Sequence, residues 1–122
     1  MLRGQHVLVI EDEPLIALDL EQALSSVGAT VIKAGTVANA LEAAATPEVT
    51  AAIVDLSLHG RSVRDVVERL TTRDLAFIFY TGHVDTPTAA ACPSVPFLVK
   101  PMLAAQVVDM LARVVAQKRA TP

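Results

Sequence analysis

The sequence predicts an α/β fold: five βα units whose strands form one doubly wound parallel sheet, spanning residues 1–122 as a single domain. Two observations carry this prediction. Short apolar runs without helical periodicity are typical of strands buried on both faces of a sheet. Stretches with helical spacing separate these runs, so right-handed crossovers place helices on both faces.

The first unit begins with the strand His6–Ile10. Pro14 suits the first turn of the helix that follows, where its missing N–H is not needed, and Asp12 can cap that helix. Gly28 is suited to end the helix in a left-handed conformation. The apolar positions of this helix recur at helical spacing: Ile16, Leu20, Leu24 and Val27.

The second strand is Thr30–Ala34, and Thr36 can cap a helix running to about Ala45. The third strand is the run 51–54, which delivers Asp55. We expect a loop over 56–61 and then a helix capped by Ser62.

Ala76–Tyr80 is predicted as the fourth strand and Val95–Val99 as the fifth. The connection between them, from Gly82 to Pro96, contains four prolines or glycines, so any helix in it is short and weak. The longest helix is expected from Met102 to about Arg119. Its apolar stripe contains Leu103, Val107, Met110, Leu111 and Val114, with Val108 and Val115 beside it.

That last apolar face is wider than packing on a sheet requires. Two interpretations stay open: a partner surface, or an extended edge of the core.

Composition narrows the possible partners. Hydrophobic residues make up 52% of the chain and charged residues 19%, and the formal net charge is −3. No basic stripe is present, so nucleic-acid binding has little electrostatic support and a protein partner is favoured. Cys92 is the one cysteine, no signal pattern opens the chain, and no apolar run reaches the roughly 18 residues that span a bilayer. We expect a cytoplasmic protein with no membrane contact.

Polar residues follow four of the predicted strands: Glu11 and Asp12, Asp55, Thr81, and Lys100. The carboxyl ends of parallel strands form the ligand-binding edge of such sheets, so these side chains are expected to meet there. Each has a local explanation, as a cap, a turn residue, a strand end or a loop residue. Their convergence on one edge is the stronger signal.

Three neighbouring carboxylates need a cation, because two of them about 5 Å apart repel by roughly 3 kcal/mol at an effective dielectric of 20. Hard oxygen ligands suit Mg²⁺, with Asp12 and Asp55 as direct ligands, Glu11 acting through water and the backbone carbonyl of Ser57 completing the set. Lys100 and the Thr81 hydroxyl could pair with phosphoryl oxygens. This pattern is suited to phosphoryl transfer to a carboxylate.

On these residues the chain resembles the receiver domain of two-component response regulators, from Val7 to about Arg119. The matching motifs are Glu11-Asp12, Asp55 after Ile53-Val54, Thr81-Gly82, and Lys100-Pro101 with Phe97 three residues before the lysine.

The resemblance implies a flavodoxin-like strand order, 2-1-3-4-5. It also implies that Asp55 accepts a phosphoryl group from a histidine kinase or phosphotransfer protein, with Mg²⁺ bound nearby. Thr81 and Phe97 would form the switch, and Thr81 and Lys100 would bind phosphoryl oxygens. The Lys100-Pro101 peptide is typically cis in relatives.

Some residues depart from the family pattern. His59-Gly60 stands where a proline usually lies four residues after the acceptor, and Tyr80 replaces a small residue, so its bulk is expected to narrow access to Asp55. The run from Phe77 to His83 resembles the Phe-Ala-Thr-Gly motif of single-domain receivers tied to general-stress or HWE-type histidine kinases. His6, His59 and His83 lack metal-ligand spacing, although His59 could lie over the rim of the site and modulate dephosphorylation.

The leading hypothesis is a stand-alone receiver, not itself an enzyme for other substrates, that signals to an unidentified protein target or drains phosphoryl groups from a kinase. It is expected to be a monomer or weak dimer. One alternative is a small Mg²⁺-dependent phosphohydrolase with an aspartyl nucleophile. The other is a receiver-shaped interaction domain that is never phosphorylated.

Overall fold

The computed structural model describes residues 1–82 and 87–120, which form a five-stranded parallel sheet between two layers of helices. In chain order the elements are β1 His6–Ile10, α1 Pro14–Ser26, β2 Thr30–Ala34, α2 Val37–Ala44, β3 Ala51–Val54, β4 Ser57–Leu58, β5 Arg61–Ser62, α3 Arg64–Thr72, β6 Ala76–Thr81, α4 Pro87–Ala90, β7 Phe97–Val99 and α5 Ala104–Ala120. The sheet order is β2-β1-β3-β6-β7, which confirms the predicted 2-1-3-4-5 order of the five sheet strands.

The two faces of the sheet carry separate apolar cores because successive strand residues point to opposite sides. In β1, Leu8 and Ile10 pack on the side of α2 and α3, whereas Val7 and Val9 pack on the side of α1 and α5. All four side chains are buried. Burial on both faces explains why these strands are continuous apolar runs without alternation.

Helix α1 ends as predicted but begins differently. Gly28 has φ +97°, a left-handed conformation that an L side chain adopts only at a cost. At the other end Glu13 occupies the cap position, and no side chain caps the helix. The prediction that Asp12 caps α1 is therefore wrong, because its carboxylate is hydrogen-bonded elsewhere.

The open loop expected over residues 56–61 is not what the structure shows. Most of this segment belongs to a small antiparallel hairpin. Strand β4 pairs with β5, so that His59 and Gly60 form a two-residue turn. Both have positive φ, +50° and +76°, as a type I′ turn requires. Glycine tolerates this conformation freely, and histidine is among the residues enriched there.

Helix α3 begins at Arg64, with Val63 in the cap position. The prediction that Ser62 caps α3 is therefore wrong by one residue: Ser62 precedes the cap position, and its hydroxyl accepts a hydrogen bond from the Arg64 N–H at 3.2 Å. Just after α3, the Arg73 guanidinium donates to the carbonyls of residues that link α2 to β3: Ala44, Thr46, Pro47 and Val49. This single side chain holds the α2–β3 connection against α3.

Thr36 caps α2 as predicted, accepting from the Asn39 N–H at 3.1 Å.

The last two units follow the prediction with shifted boundaries. Helix α4 has only four residues, β7 starts at Phe97 rather than Val95, and α5 starts at Ala104 rather than Met102. Leu103, placed on the apolar stripe by the sequence, is 71% exposed. Val108 and Val115 are buried instead, so the wide apolar face of α5 is an extended edge of the core. In the part of the chain described above, no helix is both long and apolar enough to cross a membrane.

Candidate functional site

The polar residues singled out by the sequence meet at the carboxyl edge of the sheet. Strands β1 and β3 are neighbours with Ile10 level with Val54, so Glu11 and Asp55 leave the sheet side by side. Thr81 is the last residue of β6, and Lys100 directly follows β7. The topology alone thus gathers residues that are far apart in the chain.

The Lys100 ammonium lies between two buried carboxylates. Its Nζ is 2.6 Å from Glu11 Oε1 and 3.0 Å from Asp55 Oδ2. Glu11 and Asp55 are each only 5% exposed. Buried carboxylates are normally paired, and here one lysine is shared between two of them.

The other Asp55 oxygen accepts hydrogen bonds. The Thr81 hydroxyl donates to Oδ1 at 2.7 Å and the Ser57 N–H donates to it at 3.3 Å. Thr81 is fully buried, so its hydroxyl is directed at Asp55 with no competing solvent. Both oxygens of Asp55 are therefore oriented by the protein.

Asp12 is held by the β4–β5 hairpin. The His59 N–H donates to Asp12 Oδ2 at 2.8 Å, and His59 Nδ1 lies 3.6 Å from the same oxygen. The sequence placed His59 near the rim of the site but gave no sign that its main chain binds Asp12. The His-Gly pair was the available signal, since it can form a two-residue hairpin turn.

The surroundings shift the pKa values of three of these groups. Burial raises the pKa of Glu11 to about 7, against hydrogen bonds from Lys100 and from the Glu13 N–H. The hydrogen bond from the His59 N–H holds the pKa of Asp12 below its usual value. Burial disfavours the charge on Lys100, but hydrogen bonds with Glu11 and Asp55 outweigh it, so the pKa of Lys100 is raised.

Glu11, Asp12 and Asp55, called the acidic cluster below, fit a divalent cation. They offer ligand oxygens that all lie within 4.8 Å of one another. Three carboxylates against one ammonium leave two negative charges when all are ionised, which one divalent ion offsets. Carboxylate oxygens are the ligands that Mg²⁺ prefers. Among residues 1–82 and 87–120, no such group includes a histidine.

Two aromatic residues of interest lie beside the site rather than in it. Phe97 is partly buried, with its ring centroid 6.1 Å from that of Phe79. Tyr80, expected to narrow access to Asp55, is 5% exposed and packs in the core formed with α1 and α5. Its bulk fills that core instead of the approach to Asp55.

The Lys100-Pro101 peptide is cis. His83 lies outside the described residues.

Comparison with known proteins agrees with this geometry. Residues 7–112 match the family model of the response regulator receiver domain. The sensory/regulatory protein RpfC of Xanthomonas campestris pv. campestris strain 8004 is 31% identical over 132 aligned positions, which cover 99% of this chain and 18% of RpfC. The chain thus spans less than a fifth of the length of that relative.

Two solved structures share the fold. The receiver domain of the response regulator PhyR from Erythrobacter litoralis has a TM-score of 0.82 at 29% identity, covering 98% of this chain and 95% of that one. A CheY-like receiver domain protein from Methanospirillum hungatei JF-1 has a TM-score of 0.84 at 16% identity, covering 94% and 96%.

The chain belongs to the response regulator receiver domain family, the class of signalling domain found in two-component systems. The family predicted from the sequence motifs is therefore confirmed. The assignment to the Phe-Ala-Thr-Gly subgroup stays a prediction.

Proposed function

We propose that the chain is a phosphoacceptor switch in which Asp55 receives a phosphoryl group from a histidine kinase or phosphotransfer protein. The observation that carries this proposal is the placement of Lys100 and Thr81, each hydrogen-bonded to a different oxygen of one buried aspartate. A structural ion pair needs neither a shared lysine nor a buried hydroxyl on the second oxygen.

The transfer step needs little covalent chemistry from the protein. A carboxylate oxygen of Asp55 forms a bond to phosphorus, while the bond from phosphorus to the donor's imidazole nitrogen breaks and the nitrogen keeps the electron pair. With acetyl phosphate as donor, the breaking bond is phosphorus to oxygen and acetate leaves. Catalysis is then mostly positioning and charge neutralisation.

The surrounding residues divide this work. Lys100, now paired with Asp55 and Glu11, can pair with a phosphoryl oxygen, and the Thr81 hydroxyl can donate to another. The acidic cluster and the Ser57 carbonyl would hold Mg²⁺. When bound, that ion supplies positive charge against the carboxylates and the incoming phosphoryl group.

Phosphorylation would bias two states of the domain. It replaces the −1 charge of the Asp55 carboxylate with about −2 on the acyl phosphate, and the Thr81 hydroxyl and Phe97 are proposed to move toward the phosphoryl group. The kinase is proposed to dock on α1 and the loop between β7 and α5, where Leu15, Leu18 and Leu103 are 76%, 43% and 71% exposed. The face formed by α4, β7 and α5 is proposed to contact the protein target.

Intact-mass analysis after incubation with acetyl phosphate and Mg²⁺ tests this function. A single phosphoryl adduct is expected, absent in Asp55→Asn and absent after chelation of the metal. Sustained turnover of a generic phosphate monoester would favour a phosphohydrolase instead. A chain that binds no phosphoryl group under any of these conditions would favour an unphosphorylated interaction domain.

A further inference from the structure

The only tyrosine of the chain makes two hydrogen bonds to one residue. The Tyr80 hydroxyl accepts from the Met102 N–H at 2.9 Å and donates to the Met102 carbonyl at 3.2 Å. A phenol can do both because its oxygen carries one hydrogen and free lone pairs. Phenylalanine would fill the same space and make neither bond.

The segment from Lys100 to Leu103, which Tyr80 contacts, makes few other hydrogen bonds through its N–H groups. Pro101 has no N–H to donate, so Met102 is the first residue after Lys100 that can donate from its main chain. On either side of Met102, the Lys100 N–H donates to the Thr81 carbonyl at 3.0 Å and the Leu103 N–H donates to the Gln106 side chain at 3.2 Å. The Tyr80 hydroxyl thus secures the middle of the turn between β7 and α5.

This turn carries the lysine of the site. The Lys100 ammonium must reach two buried carboxylates through a flexible four-carbon side chain, so the position of its main chain decides where the charge lies. The Tyr80 ring also lies beneath it, with Nζ 5.8 Å from the ring centroid, within the range of a cation–π contact. Tyr80 therefore contacts the lysine segment through both its hydroxyl and its ring.

We propose that Tyr80 is a positioning residue that holds Lys100 in place for binding of the phosphoryl group, a role that rests on the function proposed above. It touches no reacting atom and acts through the segment from Lys100 to Met102. Because it adjoins Thr81 in β6, one strand end positions both groups that are proposed to bind phosphoryl oxygens.

The test compares Tyr80→Phe with the unchanged protein in two titrations by calorimetry, one with Mg²⁺ alone and one with beryllium fluoride, a phosphoryl analogue, at saturating Mg²⁺. We expect the beryllium fluoride affinity to fall roughly three- to tenfold, the range given by losing one or two hydrogen bonds. The Mg²⁺ affinity should stay within about twofold, because both hydrogen bonds of the Tyr80 hydroxyl go to Met102 and neither goes to the acidic cluster. Circular dichroism confirms folding of the variant, which keeps the aromatic ring.

Three controls separate positioning from stability. Val115→Ala, in the same core but away from the turn, should lower stability without changing either affinity. Replacing the sole tyrosine by 3-fluorotyrosine keeps the hydroxyl and should keep the beryllium fluoride affinity. In a Lys100→Met background, Tyr80→Phe should have no further effect.

Equal beryllium fluoride affinity in Tyr80→Phe and the unchanged protein would overturn the inference while leaving the proposed function intact. The same loss in both the Lys100 and Met backgrounds would also overturn it. An unchanged protein that binds neither Mg²⁺ nor beryllium fluoride would overturn the proposed function and this inference together.

Discussion

Replacing Glu11 with glutamine should stabilise the metal-free protein at neutral and alkaline pH. Glu11 is 5% exposed and shares Lys100 with Asp55, so its negative charge is buried without a partner of its own. Glutamine keeps the size of the side chain and an oxygen that can accept from the Glu13 N–H, which lies 3.1 Å from Glu11 Oε2. It removes the buried charge and with it the ion pair between Glu11 Oε1 and Lys100, whose ammonium keeps its contact with Asp55 Oδ2.

The raised pKa of Glu11 sets the size of the effect. Between pH 4.5 and about 7, the folded chain keeps a proton on Glu11 that the unfolded chain releases. The free energy of unfolding therefore falls as the pH rises through that interval. A pKa raised from 4.5 to about 7 means that, above pH 7, ionisation of Glu11 lowers the free energy of unfolding by roughly 3 kcal/mol. Glu11→Gln should recover much of this at pH 8 and almost none at pH 4.5.

Urea unfolding at pH 4.5, 6 and 8 in the presence of a chelator measures this difference. Glu48→Gln, at an exposed position, serves as the control and should change stability little at any of these pH values. Saturating Mg²⁺ should reverse the order at pH 8, because the unchanged protein binds the ion and gains stability by mass action. A Glu11→Gln variant that is equally or less stable than the unchanged protein at pH 8 without metal would refute this reasoning.

Three further substitutions test other contacts. Arg73→Ala should cost roughly 2–3 kcal/mol in urea unfolding, since one guanidinium satisfies four carbonyls, whereas Arg113→Ala on the exposed side of α5 should cost under about 1 kcal/mol; equal losses would contradict this. Gly28→Ala should cost about 1–2 kcal/mol, since φ is +97° and a Cβ would lie 3.2 Å from the Arg3 Cα; an unchanged midpoint would contradict it. Thr81→Ala should slow phosphorylation by acetyl phosphate roughly tenfold or more, since it removes the hydroxyl that now donates to Asp55 Oδ1 at 2.7 Å. An unchanged rate would exclude the proposed role of Thr81 in binding a phosphoryl oxygen.

The fold and the gathering of the site were predictable because both follow from the strand pattern. Strands such as β1 and β3 are apolar on both faces, and such runs belong to parallel sheets. Once the strands are parallel, residues just after them share one edge, whatever their separation in sequence. The meeting of Glu11, Asp55 and Lys100 therefore needed no knowledge of individual contacts.

Contacts that depend on the path of the loops were not predictable. Asp12 precedes a helix and looks like its cap, but its oxygen binds the N–H of His59, 47 residues away, which only the β4–β5 hairpin presents. Leu103 fits the apolar stripe of α5 by spacing, yet the helix begins one residue later and leaves it exposed. Local spacing predicts which residues belong to an element, but not how its ends are joined to the rest of the fold.

The same distinction explains Tyr80. Its alternation within β6 puts it on the opposite face from Phe79, so burial in the α1/α5 core follows from the strand pattern. Its two hydrogen bonds to Met102 depend on how the turn after β7 passes over the sheet edge. No pattern in the sequence pairs these two residues.

The most direct test of the central claim is to locate the phosphoryl group on the chain. After phosphorylation with acetyl phosphate and Mg²⁺, reduction by borohydride converts an acyl-phosphorylated aspartate to homoserine, which peptide mass spectrometry can place. Homoserine at position 55, and at no other acidic residue, is the predicted result. Conversion at position 12 instead, or no conversion at all, would contradict the account.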